Sequence, residues 1–564
     1  MPSQLVDFSI QAPGFFGLNK QNSGDILPTG WVTEARNLVF DDVGRLAARK
    51  GTKRVNDTAI SASPDVQTIH EYIDSSGNTT LIVAAGNKLY SVSGSTLTDI
   101  TGTLTITADH WKFVNFNGNV VGFQDNHSPI IWKGSSFFTK LVDEHTDWTA
   151  TTTYSVGDLR IPTSSSDYYL YCSVGGLSAG TEPTWSTTEG STTVDNTVTW
   201  TTHKIPEGNE AIAAGGRLWV INGTVLNYSQ TLIPHYFDTT NVINQFDLKT
   251  VWRNGMDIGV ALAEFNGHLC ILGKKTITVY QDYDDVGTMS LVENIAGIGC
   301  LGRDSIQDIG TDILFLSPSG VRSLGRTIQE KSMPVRDISK NVRQYLLEKA
   351  FDEDIAKIKS TYSEKEGMYL LSLPTSDKVF YFDVRQPMQD GSLKVTEWDR
   401  TYTSLLSTVD GNIYIGTSGY LNNYNGYVDD KESDATGGSS YDVLFESGWT
   451  DFGEEASSML KIPKRASITA YGGSGQTFLL KWSFDYSGTF NSANISAKQG
   501  TAAEYGIAEY GIAEWSGGLD FNSLTRAMTH NGRVMKTGVE VTVNGRPLAF
   551  QRLSIQSKLG KMVL

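Results

Sequence analysis

A short unit recurs along most of this 564-residue chain: a tight turn containing glycine, followed by a strand of branched and aromatic residues. In Asn266-Gly-His-Leu-Cys-Ile-Leu272 and Asp410-Gly-Asn-Ile-Tyr-Ile415, apolar residues alternate with period two. Asn-Gly and Asp-Gly pairs favour the positive φ angles of two-residue hairpin turns, and the alternation is typical of half-buried sheet. The copies of this unit are Ala85–Val92, Asn117–Phe123, Gly215–Ile221, Asn266–Leu272, Gly310–Leu316, Glu366–Leu371 and Asp410–Ile415.

The spacing of these units predicts the fold class. The units recur roughly every 30–55 residues, apart from one gap of about a hundred residues. A period of about 40–50 residues with several short strands per unit is typical of a β-propeller. We therefore predict a mainly β protein with a propeller built from residues 61–144 and 206–440. An ordinary antiparallel β-sandwich, which also uses Asn-Gly hairpins, is the alternative.

The long gap, residues 145–205, has a composition of its own. It contains 16 Thr, eight charged side chains and three Trp (Trp148, Trp185 and Trp200) in 61 residues. Removing it restores an ordinary repeat interval, and loop tips tolerate insertions because the chain ends lie close together there. We predict a small β domain inserted into a propeller loop.

The two ends of the chain lie outside the repeat. Residues 1–60 form an N-terminal docking and strand region, whereas residues 441–564 contain strand patterns that predict a C-terminal β-sandwich. Within the latter, residues 503–515 repeat aromatics every five positions between Gly and Glu, which predicts an ordered loop facing a partner.

One helix is predicted from Asp337 to about Lys359. Ile338, Val342 and Leu346 recur at i, i+4 and i+8 in this segment, with polar residues between them. We expect the helix to pack across a propeller edge; docking of a neighbouring subunit is the alternative.

Composition excludes several classes of protein. Lys and Arg number 46 against 62 Asp and Glu, a net charge of −16, so the chain does not coat nucleic acid. No apolar run approaches the roughly 20 residues of a membrane span, and Met1–Gly17 lacks the basic and apolar regions of a signal peptide. Synthesis in a reducing cytoplasm is expected.

The usual signatures of catalysis and metal binding are missing from the sequence. Cys172, Cys270 and Cys300 are far apart, and no His or Cys pair has metal-ligand spacing. Gly297–Gly302 matches GxGxxG but lacks the helix and acidic residue of a dinucleotide site. We predict no catalytic, cofactor or metal site. A glycan-degrading propeller enzyme that uses the acidic clusters Asp282–Asp285 and Asp352–Asp354 is the alternative.

Two groups of residues are candidates for binding. A basic run stands out against the acidic background and predicts contact with an acidic partner or a DNA backbone, or else a solvated surface. Aromatic side chains in the insert predict stacking on sugar rings, or else the core of that small domain. The basic run is Arg45, Arg49, Lys50, Lys53 and Arg54, and the aromatic candidates are Tyr154, Tyr168, Tyr169 and Trp185.

Several stretches resemble the tail nozzle proteins of short-tailed bacteriophages, also called packaged-DNA stabilisation or tail tubular proteins. Gly30–Gly51 resembles the N-terminal segment of that family, and Gly299–Ile306 with Asp312–Leu324 resembles its central part. Leu460–Arg465 and the aromatics of 510–515 are also similar. The insert, with Tyr154-Ser-Val-Gly-Asp-Leu159 and Thr181-Glu-Pro-Thr-Trp185, looks like small carbohydrate-binding modules of phage tail proteins.

The resemblance implies a non-enzymatic structural protein of the virion tail. Six copies would form a tube below the portal and adaptor rings, hold packaged double-stranded DNA, and conduct it at ejection. Tail fibres or a needle or plug, and host surface polysaccharide, would be further partners. A receptor-binding or polysaccharide-binding tail component is the alternative function.

Overall fold

A ring of small antiparallel sheets makes up most of the molecule. The computed structural model describes residues 5–25, 27–106, 110–164, 166–239, 241–252, 255, 257–330, 337–432, 437–453, 457–497 and 521–562. The first four sheets, blades 1 to 4, have four strands each in simple up-and-down order. Blade 1 contains Val66–Ile73, Thr79–Ala85, Lys88–Ser93 and Thr96–Asp99, and blade 2 contains Lys112–Phe116, Asn119–Gln124, His127–Trp132 and Thr139–Lys140. Blade 3 contains Glu210–Ala214, Arg217–Asn222, Val225–Tyr228 and Gln245–Asp247, and blade 4 contains Gly259–Phe265, His268–Gly273, Thr276–Gln281 and Ser290–Ala296.

Blades 5 to 7 depart from this regular pattern. Blade 5 has three strands, blade 6 has four, and blade 7 takes its outer strand, Thr52–Arg54, from the N-terminal part of the chain. The strands of blade 5 are Gln307–Asp308, Ile313–Ser317 and Gly320–Ser323. Those of blade 6 are Lys359–Ser363, Met368–Leu373, Lys378–Asp383 and Lys394–Trp398. The other three strands of blade 7 are Ser404–Ser407, Ile413–Thr417 and Tyr420–Tyr424.

The seven blades close into a propeller around one axis. The first strands of neighbouring blades contact one another, and contact between Ser404–Ser407 and Val66–Ile73 joins blade 7 to blade 1. At blade 5 the 3-10 turn Arg303–Ser305 contacts both Gly259–Phe265 and Lys359–Ser363. Each blade packs on two neighbours, which makes the closed ring stiff. The predicted mainly β propeller class is confirmed.

The hairpin turns have the backbone conformation that the repeat predicts. Asn117 and Gly118 have φ of 49° and 72°, and Asn266 and Gly267 have the same pair of values. Two successive residues with positive φ define a type I′ turn, whose twist matches that of the strands it joins.

The insert is a small sheet domain between blades 2 and 3. Two indole N–H groups, from Trp148 and Trp200, donate to the buried Asp195 carboxylate at 2.8 and 3.0 Å and hold its core together. On the opposite face, Leu159 and Tyr171 pack with apolar residues of blades 2 and 3. The strands of the insert are Thr153–Tyr154, Leu159–Arg160, Tyr169–Val174, Gly176–Leu177, Thr192–Asp195 and Val198–His203.

Two sheets form the sandwich. Phe445 of one sheet meets Phe550 of the other edge to face, with ring centroids 4.9 Å apart. The first sheet contains Leu38–Phe40, Leu46–Ala48, Leu548–Met562, Met459–Gly472, Phe521–Ala527 and Leu5–Gln11, and the second contains Gly17–Leu18, Trp31–Arg36, Tyr441–Ser447, Met535–Val543, Thr477–Phe484 and Asn491–Ser496.

The strand Trp31–Arg36 makes the sandwich continuous with the propeller. It pairs antiparallel with Tyr441–Ser447 on one edge and parallel with the outer strand of blade 6 on the other. Just beyond it, the Leu38 carbonyl accepts hydrogen bonds from Trp398 Nε1 at 2.9 Å and Thr396 Oγ1 at 2.5 Å. Blade 6 and the second sandwich sheet are therefore one hydrogen-bonded sheet.

A buried ion pair fixes the next part of the N-terminal segment. The Arg49 side chain is fully buried, and its guanidinium donates to Asp429 Oδ1 at 2.8 Å and Oδ2 at 2.6 Å. It also lies over the Tyr441 ring, 4.1 Å from the centroid. This contact ties residues 46–54 to the segment that follows the last propeller strand and, through Tyr441, to the sandwich.

Helix is a minor component, and the predicted long helix is wrong in extent. The described helices are Leu324–Glu330 and Arg343–Phe351, with 3-10 turns at Leu141–Glu144, Leu248–Thr250, Arg303–Ser305, Ile355–Lys357 and Pro374–Ser376. Ile338, Val342 and Leu346 are buried as predicted, but Lys359 already begins blade 6. Over the described residues, none of the helices has the length and apolar character needed to cross a membrane. The aromatic repeat at 503–515 lies outside the described residues.

Replacing Arg49 tests how much the fold depends on this ion pair. Arg49→Ala removes both short hydrogen bonds to the buried Asp429 carboxylate and leaves Arg400 Nη1 3.5 Å from it, so we expect a loss of about 3 kcal/mol in the free energy of unfolding. Urea denaturation followed by tryptophan fluorescence measures this. Lys340→Ala, which breaks the exposed Lys340–Asp390 pair, is the matched control and should cost under about 1 kcal/mol. Equal effects of the two substitutions would contradict the assignment.

Candidate functional site

The structure changes the interpretation of the basic run. Arg49 is buried in its ion pair, so the prediction that it contacts a partner or DNA is wrong. Arg45 bonds Asp41 through Nε at 2.6 Å, and Lys50 bonds Glu366.

The end of the run, Lys53 and Arg54, lies on the outer strand of blade 7. Arg54 lies over the Tyr420 ring at 4.0 Å and 3.4 Å from Glu432, whereas Lys53 has no ion pair with any described residue. Partner contact by Arg45, Lys50, Lys53 and Arg54 stays a prediction.

Two of the four aromatic candidates in the insert are core residues. The Tyr154 ring is buried, and its hydroxyl both accepts from the Thr149 N–H at 2.8 Å and donates to the Thr149 carbonyl at 3.2 Å. Tyr169 is buried where the insert meets the propeller. Neither ring face is open to a sugar, so the prediction of glycan stacking is wrong for both.

The other two candidates lie at the surface beside a carboxylate. Tyr168 and Trp185 are half-buried at the edge of the insert core. Trp185 Nε1 donates to Glu182 Oε1 at 2.7 Å, and the Thr163 hydroxyl donates to the other oxygen. Although partial burial opposes it, these bonds hold the pKa of Glu182 below its usual value. An ionised carboxylate flanked by aromatic rings can accept hydrogen bonds from sugar hydroxyls.

The propeller axis carries the main convergence of charge, which sequence analysis missed. Lys112, Glu210 and Lys359 each begin an innermost strand, and Arg303 and Asp304 lie in the turn that completes the ring at blade 5. No local motif marks them, because they come from blades 2, 3, 5 and 6.

These five side chains, the axial cluster, form a chain of ion pairs. Lys112 Nζ lies 2.8 Å from Glu210 Oε1, and Arg303 holds both oxygens of Asp304 at 2.9 Å. Lys359 also bonds Asp304. Arg303 Nη1 donates to the Asn209 carbonyl at 2.5 Å. The cluster links four blades across the axis.

Positive charge outweighs negative charge at this cluster. Burial, with Arg303 adding to it, lowers the pKa of Lys359 although Asp304 is in contact. Burial and the charge of Lys359 lower the pKa of His110 to about 4. The pKa of Asp304 falls far below its usual range because Arg303 and Lys359 overcome the effect of burial.

A second buried polar group lies where the insert meets the propeller. The His145 ring is stacked between Tyr169 and Tyr236, with centroids 4.6 and 5.1 Å away, and His235 meets it edge-on at 4.8 Å. Neither ring nitrogen of His145 has a hydrogen-bond partner among the described residues. Burial lowers the pKa of His145 to about 3, so this imidazole is neutral.

His203 at the same junction behaves in the opposite way. Its Nδ1 lies 2.8 Å from Glu189 Oε1 and its Nε2 lies 3.1 Å from Asn241 Oδ1, and both partners are acceptors. Although burial opposes it, these bonds raise the pKa of His203. Nearby, burial raises the pKa of Asp238.

The remaining sequence motifs serve local structure. Asp285 accepts from the Gly287 N–H at 3.0 Å, and Glu353 accepts from the Thr375 N–H at 2.9 Å, so these members of the acidic clusters cap turns. Gly297–Gly302 connects blade 4 to the Arg303–Ser305 turn.

The buried cysteines are not reactive thiols. Burial raises the pKa of Cys270 and of Cys300 to about 12, which keeps both thiols protonated. Among the described residues, no three His, Cys, Asp or Glu side chains converge as metal ligands.

Comparison with known proteins adds little to this picture. No protein-family model and no curated protein matches the chain. Solved structures with some similarity include the extracellular domain of a hybrid two-component system of B. thetaiotaomicron (11% identity, 71% of this chain and 57% of that chain, TM-score 0.25). Apo AztD of Citrobacter koseri (12%, 62% and 90%, 0.30) and the Pan2 WD40 domain of Neurospora crassa (8%, 68% and 98%, 0.27) are others. TM-scores this low carry no conclusion about function.

Acidification should weaken the docking of the insert against blades 2 and 3, because His145 is buried and neutral at that junction. An undocked His145 regains a pKa near 6.5, so below that pH the undocked state binds a proton that the docked state does not. From pH 6.5 downward, docking should weaken by up to about 1.4 kcal/mol per pH unit from this residue. The effect of pH on His203 has the opposite sign. Its contribution to the free energy of docking is complete below about pH 6.5 and is lost as the pH rises through its raised pKa.

Hydrogen exchange of amides 146–203 between pH 7 and pH 5 measures this effect, after correction for intrinsic exchange. His145→Phe keeps an aromatic ring between the two tyrosines, and we expect a flatter loss of protection than in the parent chain. His530→Phe, at an exposed position in the sandwich, is the matched control. Identical pH profiles for His145→Phe and the parent would contradict the prediction.

Proposed function

We propose that the chain is a structural subunit of the tail nozzle of a short-tailed phage. Six copies form a tube below the portal and adaptor rings, retain packaged DNA, and conduct it during ejection. The protein acts in the virion tail after synthesis in the host cytoplasm, without a catalytic step or cofactor of its own.

The observation that carries this proposal is where the family-like stretches lie. Gly30–Gly51 contains the strand that joins blade 6 to the sandwich, and also Arg49. Gly299–Ile306 supplies Arg303 and Asp304 to the axial cluster. Framework contacts are what a passive load-bearing part requires, so the resemblance and the architecture support the same role.

Filling of the propeller axis supports a conduit between subunits. The axial cluster lies on the axis, and the cavity that it helps to line has a volume of only about 230 Å³. A duplex does not fit through a single propeller, so a tube for DNA requires a ring of copies. Cyclic assembly places the same heterologous contact at every interface, which distributes the load from packed DNA equally.

The excess of acidic residues supports the same function. A net charge of −16 per copy repels DNA phosphates, so a translocating duplex is not retained by the wall of the tube. Any contact with DNA or with the adaptor ring would then depend on local basic residues, of which Lys53 is a candidate.

Electron microscopy of particles containing the chain tests the proposal. We expect a six-fold density directly below the portal that accommodates six copies of 61.7 kDa each. Particles assembled without the chain should lose packaged DNA, because the lower end of the portal channel is then open. Complementation with the full chain is the control, and DNA-filled particles that are stable without it would contradict the proposal.

The insert is a candidate for glycan binding in the same assembly. Tyr168, Trp185 and Glu182 present ring surface and an ionised carboxylate together at the surface. Polysaccharide recognition by this face would attach the tail to its host.

Point substitutions test this second role better than deletion of 145–205, because deletion would uncover the apolar surface of blades 2 and 3. Titrating full-length protein with purified surface polysaccharide, we expect Tyr168→Ala and Glu182→Gln each to lower affinity about tenfold, the effect of one charged hydrogen bond or stacked ring. Tyr486→Ala, an exposed tyrosine of the sandwich, is the control. Unchanged affinity in both variants would contradict glycan binding at this face.

A further inference from the structure

The cavity on the propeller axis has the size of a small-molecule site. It measures about 230 Å³ and is lined by strands of blades 1, 2, 6 and 7 and by the turn and first strand of blade 5. With about 30 Å³ per water molecule, it holds roughly seven waters, or one small ion with a few waters. The Lys112 side chain is 31% exposed, so solvent reaches the cavity past it.

The charges around the cavity do not balance. Lys112, Arg303 and Lys359 carry three positive charges, and Glu210 and Asp304 carry two negative charges. Asp304 is already saturated by Arg303 and Lys359, so one positive charge remains uncompensated. A buried uncompensated charge is costly unless an ion of opposite sign joins it.

Hydrogen-bond donors also remain unused. An ammonium group has three N–H donors, whereas Lys112 bonds one oxygen of Glu210 and Lys359 bonds one oxygen of Asp304. The Trp111 indole N–H is buried with no acceptor among the described residues. All three side chains line the cavity.

One buried acceptor on the cavity wall is unused as well. Gln67 Oε1 has no donor among the described residues. Its partner must carry a hydrogen atom. A ligand that satisfies the site therefore has a negative charge, several acceptor oxygens and at least one O–H group.

We propose that the axial cavity is a binding site for one phosphate ion per chain, held by Lys112, Lys359 and Trp111. The phosphate oxygens accept from the two ammonium groups and the indole, and its O–H donates to Gln67 Oε1. Phosphate neutralises the excess positive charge of the axial cluster and bridges residues of blades 1, 2 and 6. Sulfate has the same shape and no O–H at neutral pH, so it binds more weakly.

Titration calorimetry of the full-length chain at pH 7, in a buffer free of phosphate, tests the site with inorganic phosphate and sulfate as probes. We expect saturable binding of one phosphate per chain and a higher melting temperature with phosphate. Lys112→Gln and Lys359→Gln should each lower phosphate affinity about tenfold or more, since each removes a charged donor. Lys112→Arg should retain binding.

Lys274→Gln, at an exposed turn of blade 4, is the matched control and should bind as the parent does. If Lys359→Gln does not fold, judged by circular dichroism, Lys112→Gln decides the question, because its partly exposed side chain contributes less to the core. Absence of one-per-chain binding in the parent, or unchanged affinity in Lys112→Gln, overturns the site. Equal affinity for sulfate overturns the assignment to phosphate.

Discussion

An edge strand exposes a row of backbone N–H and C=O groups that must find partners, and residues 31–54 satisfy several such edges in this protein. Trp31–Arg36 covers the outer edge of blade 6 and one edge of the sandwich sheet. Leu46–Ala48 extends the other sandwich sheet, and Thr52–Arg54 completes blade 7. Propeller and sandwich therefore share hydrogen bonds rather than meeting through side chains alone, and neither is complete without this short segment.

Buried charge joins separate parts of the molecule at two places. Arg49 and Asp429 pair beneath the sandwich, and the axial cluster links four blades. Buried ion pairs add little net stability compared with apolar contacts, but removal of one partner leaves a charge without compensation. An arrangement that separated these partners would therefore leave buried charge unpaired, which costs free energy.

The hairpins and the fold class were predictable because their signal is local. Asn266-Gly267 and the alternating strand after it specify a turn within a few residues. The blade number was not predictable, since blade 7 borrows a strand and blade 5 lacks one. Arg49 reads as a surface residue in the sequence because its partner Asp429 lies 380 positions away.

The candidate site in the insert was predictable only in part. Composition marks aromatic side chains but does not distinguish core from surface. Tyr168 and Tyr169 are neighbours at the start of a strand, where successive side chains face opposite sides, so one of them had to be internal. The axial cluster could not be found from any one stretch, because its members meet only after the ring has closed.

Because blade 7 takes its outer strand from the beginning of the chain, this blade is completed only late in synthesis. Arg54 pairs with Asn422, so the last blade is finished by residues that left the ribosome about 370 positions earlier. At roughly 5–20 residues per second, Thr52–Arg54 waits on the order of 20–70 s for its partner strand to emerge. During that interval the nascent chain carries an open ring, and a polysome could bring the waiting strand of one chain next to the unfinished blade of another.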